Sequence, residues 1–243
     1  MARLISPPLG LGVVSVEPLS GPRTVGAGGS QSIGDFVQTV AAPFGLWRYR
    51  IGFHPMRDRE FRLYRGWVTA LHGGANATRW SMFDPDMPTP RETGIEVPAY
   101  IRWDTIGGQP WANGEPWSNG VGWGTTAPSV AVAAGAVRGD TIVTLADEYW
   151  GRTLIGGEDI GFFPGFFCKH RVTEVLGSGK YRIWPPLRHD LSAADFATLY
   201  PTLAMRLESE EGASGGRGLV VAEGLSITLV EVPHYQVAAS FGD

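Results

Sequence analysis

The chain has 243 residues, among them 34 glycines and 18 prolines, with 43% hydrophobic and 11% aromatic residues and a formal charge of −4. So many backbone breakers exclude a coiled coil or long-helix protein, and the apolar share excludes full disorder. The near-balanced charge gives no reason to expect nucleic acid or an anionic membrane as a partner. Cys168 is the single cysteine, which excludes an intramolecular disulfide and a cysteine-rich zinc site. Following Phe166 and Phe167, it reads as a small buried hydrophobe. The first residues lack the apolar core of a secretion signal, and nowhere do 18 apolar residues run together, so a soluble protein made in the cytoplasm is expected. Asn76-Ala77-Thr78 spells a glycosylation sequon that is then expected to be unused.

Taken in chain order, residues 1–30 are rich in Pro, Gly and Ser and read as an extended arm with one short strand at Val13-Val14-Ser15-Val16. Residues 33–44 are strand-like up to Gly45. The next stretch alternates Trp47, Tyr49 and Ile51 with Arg48 and Arg50, so the two segments suggest an antiparallel hairpin with one wet face. The period then changes. Phe61, Tyr64, Val68 and Leu71, with Trp67 beside them, form one stripe of an amphipathic helix over about 57–72. His54-Pro55 marks its start and Gly73-Gly74 its stop.

Residues 75–130 are dominated by loops, among them the turn run around Asp84-Pro85-Asp86. They contain a short repeat, Pro110-Trp111-Ala112-Asn113-Gly114-Glu115 and Pro116-Trp117-Ser118-Asn119-Gly120-Val121, each with the Asn-Gly pair of a tight turn. Residues 127–137 are small and apolar, a linker or a plain strand. Short strands are expected at 141–145, 153–155, 170–175, 181–184 and 203–207, a spacing typical of a small barrel or sandwich. Residues 208–216 read as an acidic loop, and 225–232 and 235–240 as a final strand or two.

Motifs of chemistry are missing. No phosphate-cradling loop precedes a helix, and neither a His-Glu-x-x-His nor a Gly-x-Ser-x-Gly pattern occurs. The histidines, 54, 72, 170, 189 and 234, are scattered, so no metal and no cofactor are expected. Asp84, Asp86, Asp104 and Glu115 could supply the paired carboxylates of a glycan hydrolase, yet nothing in the sequence places two of them together. Two features remain as sites. Trp103, Trp111, Trp117 and Trp123 crowd into a turn-rich stretch and could staple the loop to the body, anchor an interface or stack on sugar rings. Arg59, Arg62 and Arg65 fall opposite the apolar stripe of the helix, either as a solvated face or as a basic patch for an acidic neighbouring subunit or for phosphates.

In order along the chain, Gln31-Ser32-Ile33, Phe44-Gly45-Leu46-Trp47, the helix from Phe61 to Gly74, Gly139-Asp140-Thr141-Ile142, Tyr181-Arg182-Ile183-Trp184-Pro185-Pro186-Leu187-Arg188, Ala204-Met205-Arg206-Leu207 and Leu229-Val230-Glu231-Val232 together resemble the minor or distal tail proteins of long-tailed bacteriophages. The likeness covers nearly the whole chain. It implies a mainly β fold: a discontinuous sandwich-like tail-tube-type domain with one helix, residues 1–98 and 206–243, interrupted by a Trp/Gly/Asn-rich loop, 99–126, and an inserted small barrel, 127–205. It also implies a non-enzymatic virion protein in the tail, forming a hexameric ring whose partners are its own copies, the tail tube protein and hub or fibre proteins. A carbohydrate-binding tip module that contacts the host surface is the alternative.

Overall fold

The computed structural model describes residues 2–8, 10–22, 30–31, 37–38, 45–82, 86, 129–146, 153–210 and 212–242. The protein is mainly β: of the described residues, 47% are in strands and 14% in helices. It divides into two compact units: Met1–Trp80 with Leu203–Asp243, and Ser81–Thr202. The chain thus leaves the first unit well before residue 98 and re-enters it at Leu203.

In chain order, the first unit contains β1 (Ala2–Ile5), β2 (Val13–Ser20), the short pair β3 (Ser30–Gln31) and β4 (Val37–Gln38), β5 (Arg48–Phe53), α1 (Asp58–Ala70), a 3-10 turn at His72–Gly74 and β6 (Ala77–Ser81). The second unit holds β7 (Ser129–Ala134), β8 (Ile142–Leu145), β9 (Asp159–Phe163), β10 (His170–Gly177), β11 (Lys180–Trp184) and β12 (Phe196–Thr198). The chain returns through β13 (Thr202–Leu207), β14 (Ala213–Arg217), β15 (Ala222–Glu231), α2 (His234–Ser240) and β16 (Phe241–Gly242).

The first unit is built on an eight-stranded sheet of order β16-β1-β6-β13-β15-β5-β2, with β14 paired to β15 off that path. β1 runs parallel to both β16 and β6. β15 is antiparallel to β13, β14 and β5. The alternation in β5 holds: Tyr49, Ile51 and Phe53 are buried, and Arg50 is exposed. Its expected hairpin partner does not. β5 lies between β2 and β15, while Val37–Gln38 pairs with Ser30–Gln31. The ten-residue β15 offers Leu225, Ile227 and Leu229, all buried, as a matching inward face, whereas β4 spans two residues. The N-terminal arm likewise supplies two sheet strands where one was expected.

Helix α1 packs on this sheet through a stripe displaced from the expected one. Tyr64, Trp67 and Leu71 are buried, whereas Phe61 and Val68 are half-buried. The indole of Trp67 moves the centre of the stripe: it stacks on Trp80 at 6.0 Å between centroids, and its Nε1–H donates to Thr78 Oγ1 at 3.3 Å. Tyr64 meets Phe53 edge-on at 5.3 Å, and burial pushes its hydroxyl up to about 12. The helix stops at Gly73 and Gly74, both at positive φ, where a Cβ on Gly74 would sit 2.6 Å from the Leu207 carbonyl oxygen. Asn76 completes the stop. Its Nδ2, the atom a glycan would modify, donates to Ala70 O at 2.7 Å, and its Oδ1 accepts from Arg3 N at 2.9 Å.

The return segment departs from expectation twice. Residues 213–217 form β14 instead of continuing a loop, and 234–240 form a helix in place of a strand. Pro233 explains the helix: its carbonyl accepts from Gln236 N and Val237 N, and its fixed φ suits a helix start.

In the second unit, six strands close into an antiparallel barrel of order β10-β11-β8-β7-β12-β9. Its core alternates inward from each strand, with Val130 and Val132, Val143 and Leu145, Ile160 and Phe162, Val172, Tyr181 and Ile183, together with the buried Cys168. Two expected strands are misplaced. Residues 153–155 are not a strand, although Leu154 is buried, and 203–207 belong to the first unit's sheet. β9 and β12 take their places in the wall. β9 escapes sequence reading because Asp159 looks like a turn residue. It is neutralised in space: Lys169 Nζ lies 2.7 Å from Oδ2, and Arg171 adds Nε at 2.8 Å and Nη2 at 3.0 Å.

Candidate assembly interface

Helix α1 turns its polar side outward because its apolar stripe is used against the sheet. Arg59, Arg62 and Arg65 are all exposed there, as the helical spacing predicts. Of the arginines in this region, Arg48 pairs with Glu208 and Arg50 with Glu17 at 3.2 Å. Among the described residues, Arg59, Arg62 and Arg65 make no ion pair. Among the described residues, then, three cations on one helix face have no ion-pair partner.

The entry to α1 is tied to β2. His54 Nδ1 lies 3.0 Å from Gly12 O and Nε2 3.1 Å from Glu60. The carbonyl of Gly12, with a smaller contribution from Glu60, raises the imidazole above its ordinary value, since both contacts favour the doubly protonated ring.

Two further features of this unit were missed at the sequence level. β2 ends the sheet, and its first six residues are exposed on both faces. Val14 is 66% exposed, and Val13 and Val16 accompany it. A long apolar edge strand of this kind is a template for another strand. The second feature is the β14–β15 hairpin. Leu219 at its tip is wholly exposed and Val220 is 72% exposed. An apolar tip beside Gly218 and Val221 could have been noticed in the sequence, but the acidic residues before it read as a plain loop.

Between α1 and this hairpin runs a groove of about 170 Å³ walled by Phe61, Tyr64, Val68 and Leu225, with Arg65 at its side. Gly215 forms part of its floor. A Cβ there would collide with Leu225 Cδ2 at 2.4 Å, and φ is +155°, so only glycine keeps the two strands this close.

No family model matches this sequence, and comparison with curated proteins finds no match.

Trp103, Trp111, Trp117 and Trp123 lie outside the described residues, as do Asp84, Asp104 and Glu115. Among the described residues no three His, Cys, Asp or Glu side chains gather where they could hold a metal. No described helix is long and apolar enough to cross a membrane. What the geometry brings together is thus an open apolar sheet edge, an apolar hairpin tip, a groove and an unpaired basic helix face.

Proposed function

We propose that this chain is a structural, non-enzymatic subunit of a long-tailed bacteriophage virion, at the distal end of the tail, where copies form a ring joining the tail tube to hub or fibre proteins. The observation that carries the reading is β2, an eight-residue strand that ends its sheet among the described residues and exposes Val13, Val14 and Val16. A monomer that works alone gains nothing from such an edge and risks aggregation by keeping it. A subunit whose sheet is continued by its neighbour buries it. The resemblance of the sequence to distal tail proteins supplies the particular assembly, and the mainly β fold is compatible with it.

The test is direct. Purified protein is expected to sediment as a ring-sized oligomer and to show hexameric rings by negative-stain microscopy, and antibodies against it should label the tail end of virions. A monomer at every concentration tried, with no label on virions, would overturn the proposal.

A further inference from the structure

The hairpin tip and the groove beside α1 match each other in chemistry, and they lie on one chain. Leu219 and Val220 project into solvent from the turn between β14 and β15, so a molecule's own groove does not receive its own tip. The groove is apolar along Phe61, Val68 and Leu225, and a space of its size holds a benzene-sized apolar group. Charge agrees with shape. Glu223, two residues past the turn, is exposed, and so is Glu210 ahead of the hairpin. Among the described residues neither makes an ion pair. The groove's side carries Arg65, with Arg62 and Arg59 along the same helix, also unpaired.

We infer that the β14–β15 tip of one copy docks into the α1 groove of a second copy. Leu219 and Val220 fill the groove, and Glu223 meets Arg65 with Arg62 behind it. Knob and groove are different patches of the same chain, and in the ring proposed above the contact runs head to tail from one copy to the next. The inference rests on the reading that copies of this chain assemble, and it names the surfaces by which they do so. A small desolvated centre within a polar rim carries most of the binding energy of such interfaces, and arginine is among the residue types that anchor them.

The experiment has two arms. In the first, the variants Leu219→Cys and Val68→Cys, each with one added cysteine, are mixed under mild oxidation. The native Cys168 is 2% exposed and does not compete. A disulfide-linked species that needs both variants supports the docking. In the second arm, sedimentation measures self-association of Leu219→Asp, Arg65→Glu and Glu223→Arg. Each should weaken association at least about tenfold, and Arg65→Glu combined with Glu223→Arg should restore most of it. These residues are at the surface, and far-UV circular dichroism confirms that each variant is folded. Rings that persist in Leu219→Asp, without a 68–219 cross-link, would overturn the docking and leave the ring reading standing. Wild-type protein that never self-associates would overturn both.

Discussion

Asp159 and His170 illustrate how single side chains are controlled by what surrounds them. The Asp159 carboxylate is 6% exposed and shared between Lys169, equally buried, and the half-exposed Arg171. Replacing it with Asn takes a buried carboxylate away from both Lys169 and Arg171, which should lower stability by about 3–5 kcal/mol, measured by urea unfolding. A loss under about 1 kcal/mol would mean that Lys169 finds water or another acceptor. His170 is buried in the barrel, its Nδ1–H donating to Pro185 O at 2.7 Å. Burial lowers it to about 4. The unfolded ring titrates near ~6.5, so between the two values the unfolded chain binds a proton that the folded chain refuses. The contribution of His170 to stability should be flat above that range and fall as pH drops through it, by about 3 kcal/mol in all. Urea melts at stepped pH check this, and His170→Gln should remove most of the slope.

Among the elements, α1 was legible in outline and misjudged in rotation. The spacing of Phe61, Tyr64, Val68 and Leu71 marks a helix, because apolar residues three and four apart share a face. Which of two adjacent faces is buried depends on what awaits it on the sheet, and Trp80 and Thr78 take Trp67. Trp67→Ala should therefore cost about 3–5 kcal/mol, while Val68→Ala, at the half-buried rim, should cost about 1 kcal/mol or less. Comparable losses for the two in chemical denaturation would restore the original stripe. β9 and β12 were illegible for different reasons. β9 carries an acid whose neutralising partners stand at residues 169 and 171, and β12 is three residues long, too short for a period to show. The reading of 235–240 as strand failed because alternation over a few residues does not distinguish a strand from a single helical turn or two started by a proline.

Over the whole molecule, an inserted unit was expected from the resemblance to tail proteins and not from the strand pattern, and the chain divides after Trp80 and again at Leu203. β13 looks like the last strand of the inserted block, since it follows the others at the same spacing. Its Met205, Arg206 and Leu207 pair instead with Glu231, Val230 and Leu229. The two units also manage their edges differently. The barrel closes and has no free strand edge, whereas the first sheet ends at β2 with an apolar strand exposed. Of the candidate residues, only the basic face of α1 was legible and describable together, because exposure of a charged helix face follows from the burial of the opposite one.

The sequence alone determined the β-rich class, the existence of α1 and its glycine stop, the wet and dry faces of β5 and the burial of Cys168. These depend on local period, backbone freedom and side-chain polarity, which are properties of neighbours along the chain. Only the tertiary structure decided which strands pair, which helix face turns inward, that Asp159 can stand in a barrel wall, and that β2 and the Leu219 tip are left uncovered. Those outcomes depend on partners distant in sequence, whose burial and charge neutralisation become available only when the chain folds.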